Sequence, residues 1–251
     1  MPIILLLGLL VAQADEVSEA LVDALVLDFR QDGIVADESD LTRRYGELCQ
    51  GGASLACQTE PWRTSNGGSL EAASKVLSEA CYGEPRDPTA CLVVGWSLSQ
   101  KKRGTMDPRA EKGGEAKALF QLACDAEIPR GCVELGMAMQ KGLGPDAPDP
   151  KGAFAVYRDA CEAGESSACV RQGKLLQSGR GVGTNYEKAV SLYETTCDDG
   201  YLVGCNNLGL MYDLGVGVQK SGEKALEYYE MACSAGQTAA CDNLSRAYRS
   251  D

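Results

Sequence analysis

The sequence predicts an all-α protein, a solenoid of stacked helix hairpins each stapled by a disulfide. Three observations carry this. The twelve cysteines fall into pairs of near-constant separation, eight residues in five pairs and ten in one. The first cysteines of successive pairs lie 32, 43, 37, 36 and 36 residues apart, a period typical of stacked supersecondary units. Around each pair, apolar residues recur at helical spacing and alternating strand patterns are nearly absent.

From the N-terminus, residues 3–11, IILLLGLLV, form an uncharged apolar run followed by Ala12-Gln13-Ala14 and then Asp15-Glu16. This reads as a signal peptide over 1–14, cleaved near Ala14, although no Lys or Arg precedes the run. About ten apolar residues are too few for a membrane-spanning helix, which needs about 20, and no cysteine follows to accept a lipid. Residues 15–40 comprise an amphipathic capping helix, DEVSEALVDALVLDFR, and a linker; residues 41–251 hold six repeats.

Each repeat opens with a helix, termed A. Eight residues before its cysteine stand Leu41, Ala73, Ala116, Ala153, Ala189 and Ala225; four before it stand Tyr45, Leu77, Phe120, Tyr157, Tyr193 and Tyr229. Offsets of −8, −4 and 0 share one helix face, the predicted buried stripe. A second helix, B, follows the second cysteine, with Val94, Leu135, Leu208 and Leu244 at +3 and Leu98, Met139, Leu176, Tyr212 and Tyr248 at +7. Gly95, Gly136, Gly173 and Gly209 recur at +4, where glycine costs about 1 kcal/mol against alanine, so a close helix crossing is expected. Helix B ends in Gly142-Leu-Gly144, Gly179-Arg-Gly181 or Gly215-Val-Gly217, read as left-handed helix terminators rather than phosphate loops because no strand precedes them. The first two repeats are irregular: Cys57-Gln-Thr-Glu-Pro61 leaves little helix B, and the turn Glu84-Pro85-Arg86-Asp87-Pro88 is longer.

The cysteine pairs are Cys49/Cys57, Cys81/Cys91, Cys124/Cys132, Cys161/Cys169, Cys197/Cys205 and Cys233/Cys241. An exported chain meets an oxidising compartment, and none of these spacings is that of a zinc knuckle or a redox dithiol, so a disulfide is expected in each hairpin and no metal. Each short loop so closed contributes roughly 2.6 kcal/mol in the chain-entropy model.

Composition removes several function classes. Thirty-six Asp and Glu against 24 Lys and Arg give a net charge of −12, which disfavours a nucleic-acid partner. The sequence contains no His, which excludes Ser-His-Asp and Cys-His nucleophiles, imidazole bases and His-dependent metal sites. No catalytic cluster and no cofactor site emerges.

The string Ala-x3-Tyr-x2-Ala-Cys-x7-Cys of Ala225, Tyr229, Cys233 and Cys241, with Leu-Gly-x2-Tyr-x2-Gly-x-Gly-Val of Leu208, Gly209, Tyr212, Gly215, Gly217 and Val218, resembles the Sel-one-like repeat. The cysteine pair in every unit is similar to the Helicobacter cysteine-rich protein family. The resemblance implies an α/α superhelix related to tetratricopeptide repeats, presenting a curved surface to a protein or peptide partner in the periplasm or outside the cell. It also implies an alternative, penicillin-binding or β-lactamase-like chemistry. Such an enzyme needs a Ser-x-x-Lys nucleophile and a Lys-Thr/Ser-Gly strand. The candidates are Ser99-Gln-Lys-Lys102, Ser221-Gly-Glu-Lys224 and Lys220-Ser221-Gly222, with no Ser-Asp-Asn, and Ser221 would have to serve in both motifs. A third reading, haem or metal handling, is disfavoured by the missing His.

In related repeats helix A lines the concave side, so the polar helix-A positions Gln121, Arg158, Glu194 and Glu230 are expected to form a row along the partner groove. The basic run Lys101-Lys102-Arg103 complements a helix C-terminus.

Overall fold

The computed structural model describes residues 77–99 and 112–250, and contacts divide the chain at Pro148/Asp149 into two compact units. The expectations for the signal peptide, the capping helix and linker, the first repeat with Cys49 and Cys57, and the run Lys101-Lys102-Arg103 lie outside the described residues. No strand occurs among the described residues.

In the first unit, helical residues 77–82 lead to α1 (Pro88–Ser99), α2 (Gly113–Asp125) and α3 (Pro129–Lys141). The second unit contains α4 (Pro150–Glu162), α5 (Ser166–Ser178), α6 (Tyr186–Asp198), α7 (Leu202–Leu214), α8 (Gly222–Ser234) and α9 (Thr238–Ser250). From α2 onward every helix has 13 residues, about 20 Å of rise. Within each unit consecutive helices pack against one another, and α5 also touches α7.

Local chemistry fixes where these helices start. Asp149 accepts from the Gly152 amide at 2.8 Å, Asn185 from Lys188 at 2.9 Å and Ser221 from Lys224 at 3.3 Å, so α4, α6 and α8 each begin on a side-chain cap. Asp87 caps α1 in the same way, after a cis Glu84–Pro85 peptide in the longer turn that the sequence predicts. Their ends are set by backbone geometry. At the end of α4 the Gly164 amide donates to the Cys161 carbonyl at 2.9 Å and the Glu165 amide to Ala160 at 3.0 Å, with Gly164 left-handed, a Schellman cap. The same pair of bonds closes α2, α6 and α8. Gly142, Gly179 and Gly215 end α3, α5 and α7 in the left-handed conformation expected of them.

The predicted stripe is the core. Ala116, Phe120, Ala153, Tyr157, Ala189, Tyr193, Ala225 and Tyr229 are all fully buried. The helix-B glycines have the packing reason the sequence implied: a Cβ on Gly173 would lie 2.6 Å from the Tyr193 ring, and one on Gly209 2.7 Å from the Tyr229 ring. In the +7 row Leu176 is buried, whereas Tyr248 is 57% exposed, because among the described residues no helix follows α9 to cover it.

All five described cysteine pairs are bonded: Cys81–Cys91, Cys124–Cys132, Cys161–Cys169, Cys197–Cys205 and Cys233–Cys241, with Cα–Cα distances of 4.5–4.7 Å. Each bridge joins the end of one helix to the start of the next. The second cysteine always takes the same place, the fourth residue of its helix: Cys91 in α1, Cys132 in α3, Cys169 in α5, Cys205 in α7 and Cys241 in α9. The longer turn before Cys91 therefore lengthens only the connection and leaves the register of the bridge on its helix unchanged. Burial differs between the two described bridges of the first unit, since Cys91 is fully buried whereas Cys132 is partly exposed. Met231 of α8 lies over the Cys197–Cys205 bridge, its sulfur 3.9 and 3.8 Å from the two cysteine sulfurs.

Candidate functional site

Charge separates by helix in the second unit. Helices α4, α6 and α8 carry eight acidic and four basic residues, whereas α5, α7 and α9 carry two acidic and four basic. The excess negative charge of the helices therefore sits on the even-numbered ones.

The row nominated from sequence lies on the acidic helices, apart from Gln121, which belongs to α2 in the first unit. Gln121 donates to Asp125 one turn on, at 2.8 Å. Arg158 is paired with Asp159 at 2.7 Å and lies 4.0 Å from Glu162. Glu230 accepts from the Tyr248 hydroxyl. Glu194 is partly buried, and after burial itself its charge is among those that push the Tyr228 phenol upward. Arg158, Glu194 and Glu230 thus recur on α4, α6 and α8, and Arg158 and Glu230 are already engaged within the chain.

The other row was not singled out by sequence. At one register, 36 residues apart, α5, α7 and α9 carry Arg171, Asn207 and Asn243. Asn207 is 7% exposed and its Nδ2 has no hydrogen-bond partner; the Arg171 Nε is likewise buried and unpaired. One turn after Arg171 stands Lys174, which forms no ion pair; burial, then the like charge of Arg171, pushes its ammonium below the ordinary lysine pKa. In α9 the Asn243 Nδ2 donates to Asn206 Oδ1 at 2.7 Å, tying α9 to α7, and the Asn243 Oδ1 accepts from Arg246. The signal available in sequence was the 36-residue recurrence of a polar residue immediately before Leu208 and Leu244, inside an otherwise apolar stripe.

The serines of the lactamase-like strings have local roles. Ser99 is fully buried in α1 and its hydroxyl donates to the Trp96 carbonyl at 2.7 Å. Ser221 is the cap of α8, and what it holds is the backbone amide of Lys224, so Ser-x-x-Lys here marks a helix start. The Lys224 ammonium lies 4.9 Å from the centroid of the Tyr212 ring, which stacks on Tyr228 at 5.7 Å. A shallow cleft at this corner is lined by Tyr212, Gln219, Lys220, Ser221 and Lys224. Among the described residues no group of His, Cys, Asp and Glu is arranged to hold a metal, and no helix is long and apolar enough to cross a membrane.

Thirteen-residue helices, alternately joined by disulfides and by glycine-rich loops, define an all-α repeat protein. Comparison with family models adds that residues 129–165, 166–201 and 202–237 each match the Sel1 repeat. These units begin at α3, α5 and α7, one helix away from the hairpins read from sequence. In this register the Cys161–Cys169 and Cys197–Cys205 bridges join consecutive matched units, since Cys161 and Cys197 each lie near the end of one and Cys169 and Cys205 near the start of the next. A Sel1 repeat protein from Oxalobacter formigenes is similar in structure, with TM-score 0.55, 24% identity, and coverage of 82% of this chain and 75% of that one. A protective antigen of uropathogenic Escherichia coli displaying an SLR fold matches with TM-score 0.61 and 20% identity over 89% of this chain, which spans 47% of that protein. The Helicobacter pylori cysteine rich protein B aligns over 53% of this chain and 96% of its own, at 25% identity and TM-score 0.43. No match to this chain was found among curated proteins.

Proposed function

We propose that this chain is an exported, disulfide-braced repeat scaffold that binds a protein or peptide partner on its helix surfaces and carries out no catalysis. The observation that supports this most is the use made of the recurrent residues. Ala and Tyr at −8 and −4 fill the core, the glycines admit close crossings or cap helices, the cysteines are bonded, and Ser221 caps a helix. What varies between repeats is the exposed polar surface, the part of such an array that meets a partner. Bridges in every described hairpin suit an oxidising compartment, in keeping with a leader over 1–14 and a mature chain of cap, linker and repeats from Asp15.

Fractionating the source cell should place a form beginning at Asp15 outside the cytoplasm. Oxidised protein carrying a photo-crosslinker should then trap a discrete partner from that fraction, and incubation with a chromogenic lactam should show no turnover. A cytosolic form retaining residues 1–14 would overturn the export argument. Absence of any discrete adduct, or turnover lost on Ser221→Ala, would overturn the scaffold reading.

A further inference from the structure

In the second unit one packing contact brings three sulfur atoms together. Met231 sits in α8 two residues before Cys233, a register that Glu79, Leu122, Asp159 and Thr195 hold in the other described hairpins. It alone of these is a thioether, and its Sδ lies 3.9 and 3.8 Å from the sulfurs of Cys197 and Cys205. The bridge otherwise packs in an apolar cluster, against Ala232 and Ala240 with Leu202 and Tyr228 beside them. Under this cover Cys197 is 6% exposed and Cys205 not at all, whereas in the neighbouring Cys161–Cys169 bridge Cys161 is partly exposed. Met231 itself is 45% exposed, while Met137 and Met139 are partly buried and Met211 wholly so. The best-exposed thioether among the described residues is thus also the cover of a buried disulfide.

We propose that Met231 is an oxidation site that takes an oxygen atom from a peroxide, and that its sulfoxide uncovers the Cys197–Cys205 bridge to attack by small thiols. In the first step a lone pair of Sδ attacks one peroxide oxygen. An S–O bond forms as the O–O bond breaks, the thioether gives two electrons to the peroxide, and the departing hydroxide takes the proton of the transferred oxygen and leaves as water. The bridge is unchanged in this step. The sulfoxide oxygen then calls for a hydrogen-bond donor, and a disulfide has none to give. Held against the bridge it would be an unpaired acceptor, so it turns to water, a swing that the three rotatable bonds of an already half-exposed side chain allow without moving α8. With the cover gone, a thiolate attacks Cys197, the more accessible sulfur; a mixed disulfide forms there, the Cys197–Cys205 bond breaks, and Cys205 departs as thiolate. A second thiolate releases Cys197 and carries away the small disulfide. Peroxide thereby sets how readily the α6–α7 hairpin loses its brace, a property separate from partner binding.

The test treats the full oxidised chain with hydrogen peroxide, maps the sulfoxides, then reduces briefly with dithiothreitol and alkylates the freed cysteines. Sulfoxide should accumulate at Met231 before Met137 and Met139, with Met211 unmodified. Cys197 and Cys205 should then be freed roughly fivefold or more faster than in untreated protein, with Cys161–Cys169 unchanged, and methionine sulfoxide reductase should restore the slow rate. Met231→Leu keeps an apolar cover that peroxide does not oxidise, so peroxide should leave its bridge as slow as in the untreated native chain. Met231→Gln, a polar side chain of similar length, should free the bridge fast with no peroxide at all. Sulfoxide appearing first at Met137 or Met139, an unchanged rate after Met231 is oxidised, the same acceleration in Met231→Leu, or a slow Met231→Gln overturns the proposal. Equal acceleration at Cys161–Cys169 also overturns it, since that reports loosening of the whole unit rather than removal of one cover.

Discussion

Glu127 occupies a backbone position that its counterparts give to glycine. Its φ is 59°, and the equivalent residues Gly164, Gly200 and Gly236 have φ of 95°, 82° and 93°. The reason lies in the Schellman cap, whose two bonds, Glu127 amide to Cys124 and Ile128 amide to Ala123, close only if the intervening residue is left-handed. An L side chain in that region costs about 1–2 kcal/mol, partly offset by the extra entropy that glycine loses on folding. Glu127 is exposed and makes no side-chain contact that would compensate. Glu127→Gly should therefore stabilise the first unit by roughly 0.5–1 kcal/mol, read as a rise in melting temperature; a fall would show that the glutamate has a role the cap geometry does not reveal.

The bridged helix pair is the element on which the fold depends. In α6 and α7 the residues flanking the bridge are matched in size: Thr196 is buried beside Gly204, where a Cβ would come 2.2 Å from the Thr196 hydroxyl, and the hydroxyl itself is satisfied by the Leu192 carbonyl at 2.9 Å. Met231 then covers the sulfurs from the following helix. Replacing both Cys197 and Cys205 with serine should cost roughly 2.6 kcal/mol from loop closure alone, with a further loss from placing hydroxyls under Met231. Because packing in such an array is between neighbours, amide exchange should accelerate first across 186–214 while α4 stays protected. Uniform acceleration over the whole second unit would instead show that the array unfolds as one body.

From α2 onward one ring per hairpin, Phe120, Tyr157, Tyr193 and Tyr229, sits at the same register in the core, a place Leu77 takes before the Cys81–Cys91 bridge. Burial pushes the phenols of Tyr193 and Tyr229 upward, Tyr229 to about 12, against about 10 in an unfolded chain. The folded state thus holds these protons more tightly than the unfolded state. The stability this represents is complete below about pH 10 and is lost as pH rises through about 12. Tyr229 Oη has no hydrogen-bond partner, so Tyr229→Phe removes a titrating group without removing a bond. That variant should match or slightly exceed the native stability at neutral pH and unfold at a higher alkaline midpoint, with Tyr193 setting the remaining limit. An unchanged midpoint in a pH titration followed by far-UV dichroism would show that Tyr229 does not govern alkaline unfolding.

Sequence alone determined the helical class, the pairing of nearest cysteines from Cys81–Cys91 and Cys124–Cys132 onward, the Ala and aromatic stripes and the glycine terminators. Each follows from contacts within about ten residues and repeats often enough to average out exceptions such as Glu127. It also located the tight helix crossing at Gly209, since only a steric demand accounts for glycine recurring inside a helix. Two matters lay beyond the sequence pattern itself. A periodic chain of helices offers two equally regular ways to cut it into pairs, and the bridges drew the sequence reading to one cut while the family repeats follow the other. The second matter was which polar residues are engaged within the chain and which keep unmet atoms. Arg158 and Glu230 are satisfied by neighbours, Gly181 abuts the backbone of Pro150 and Lys151, and Asn207 and Arg171 keep unpaired atoms under cover. Hydrogen-bond satisfaction depends on residues brought together from different helices, and no pattern in the sequence records those distances.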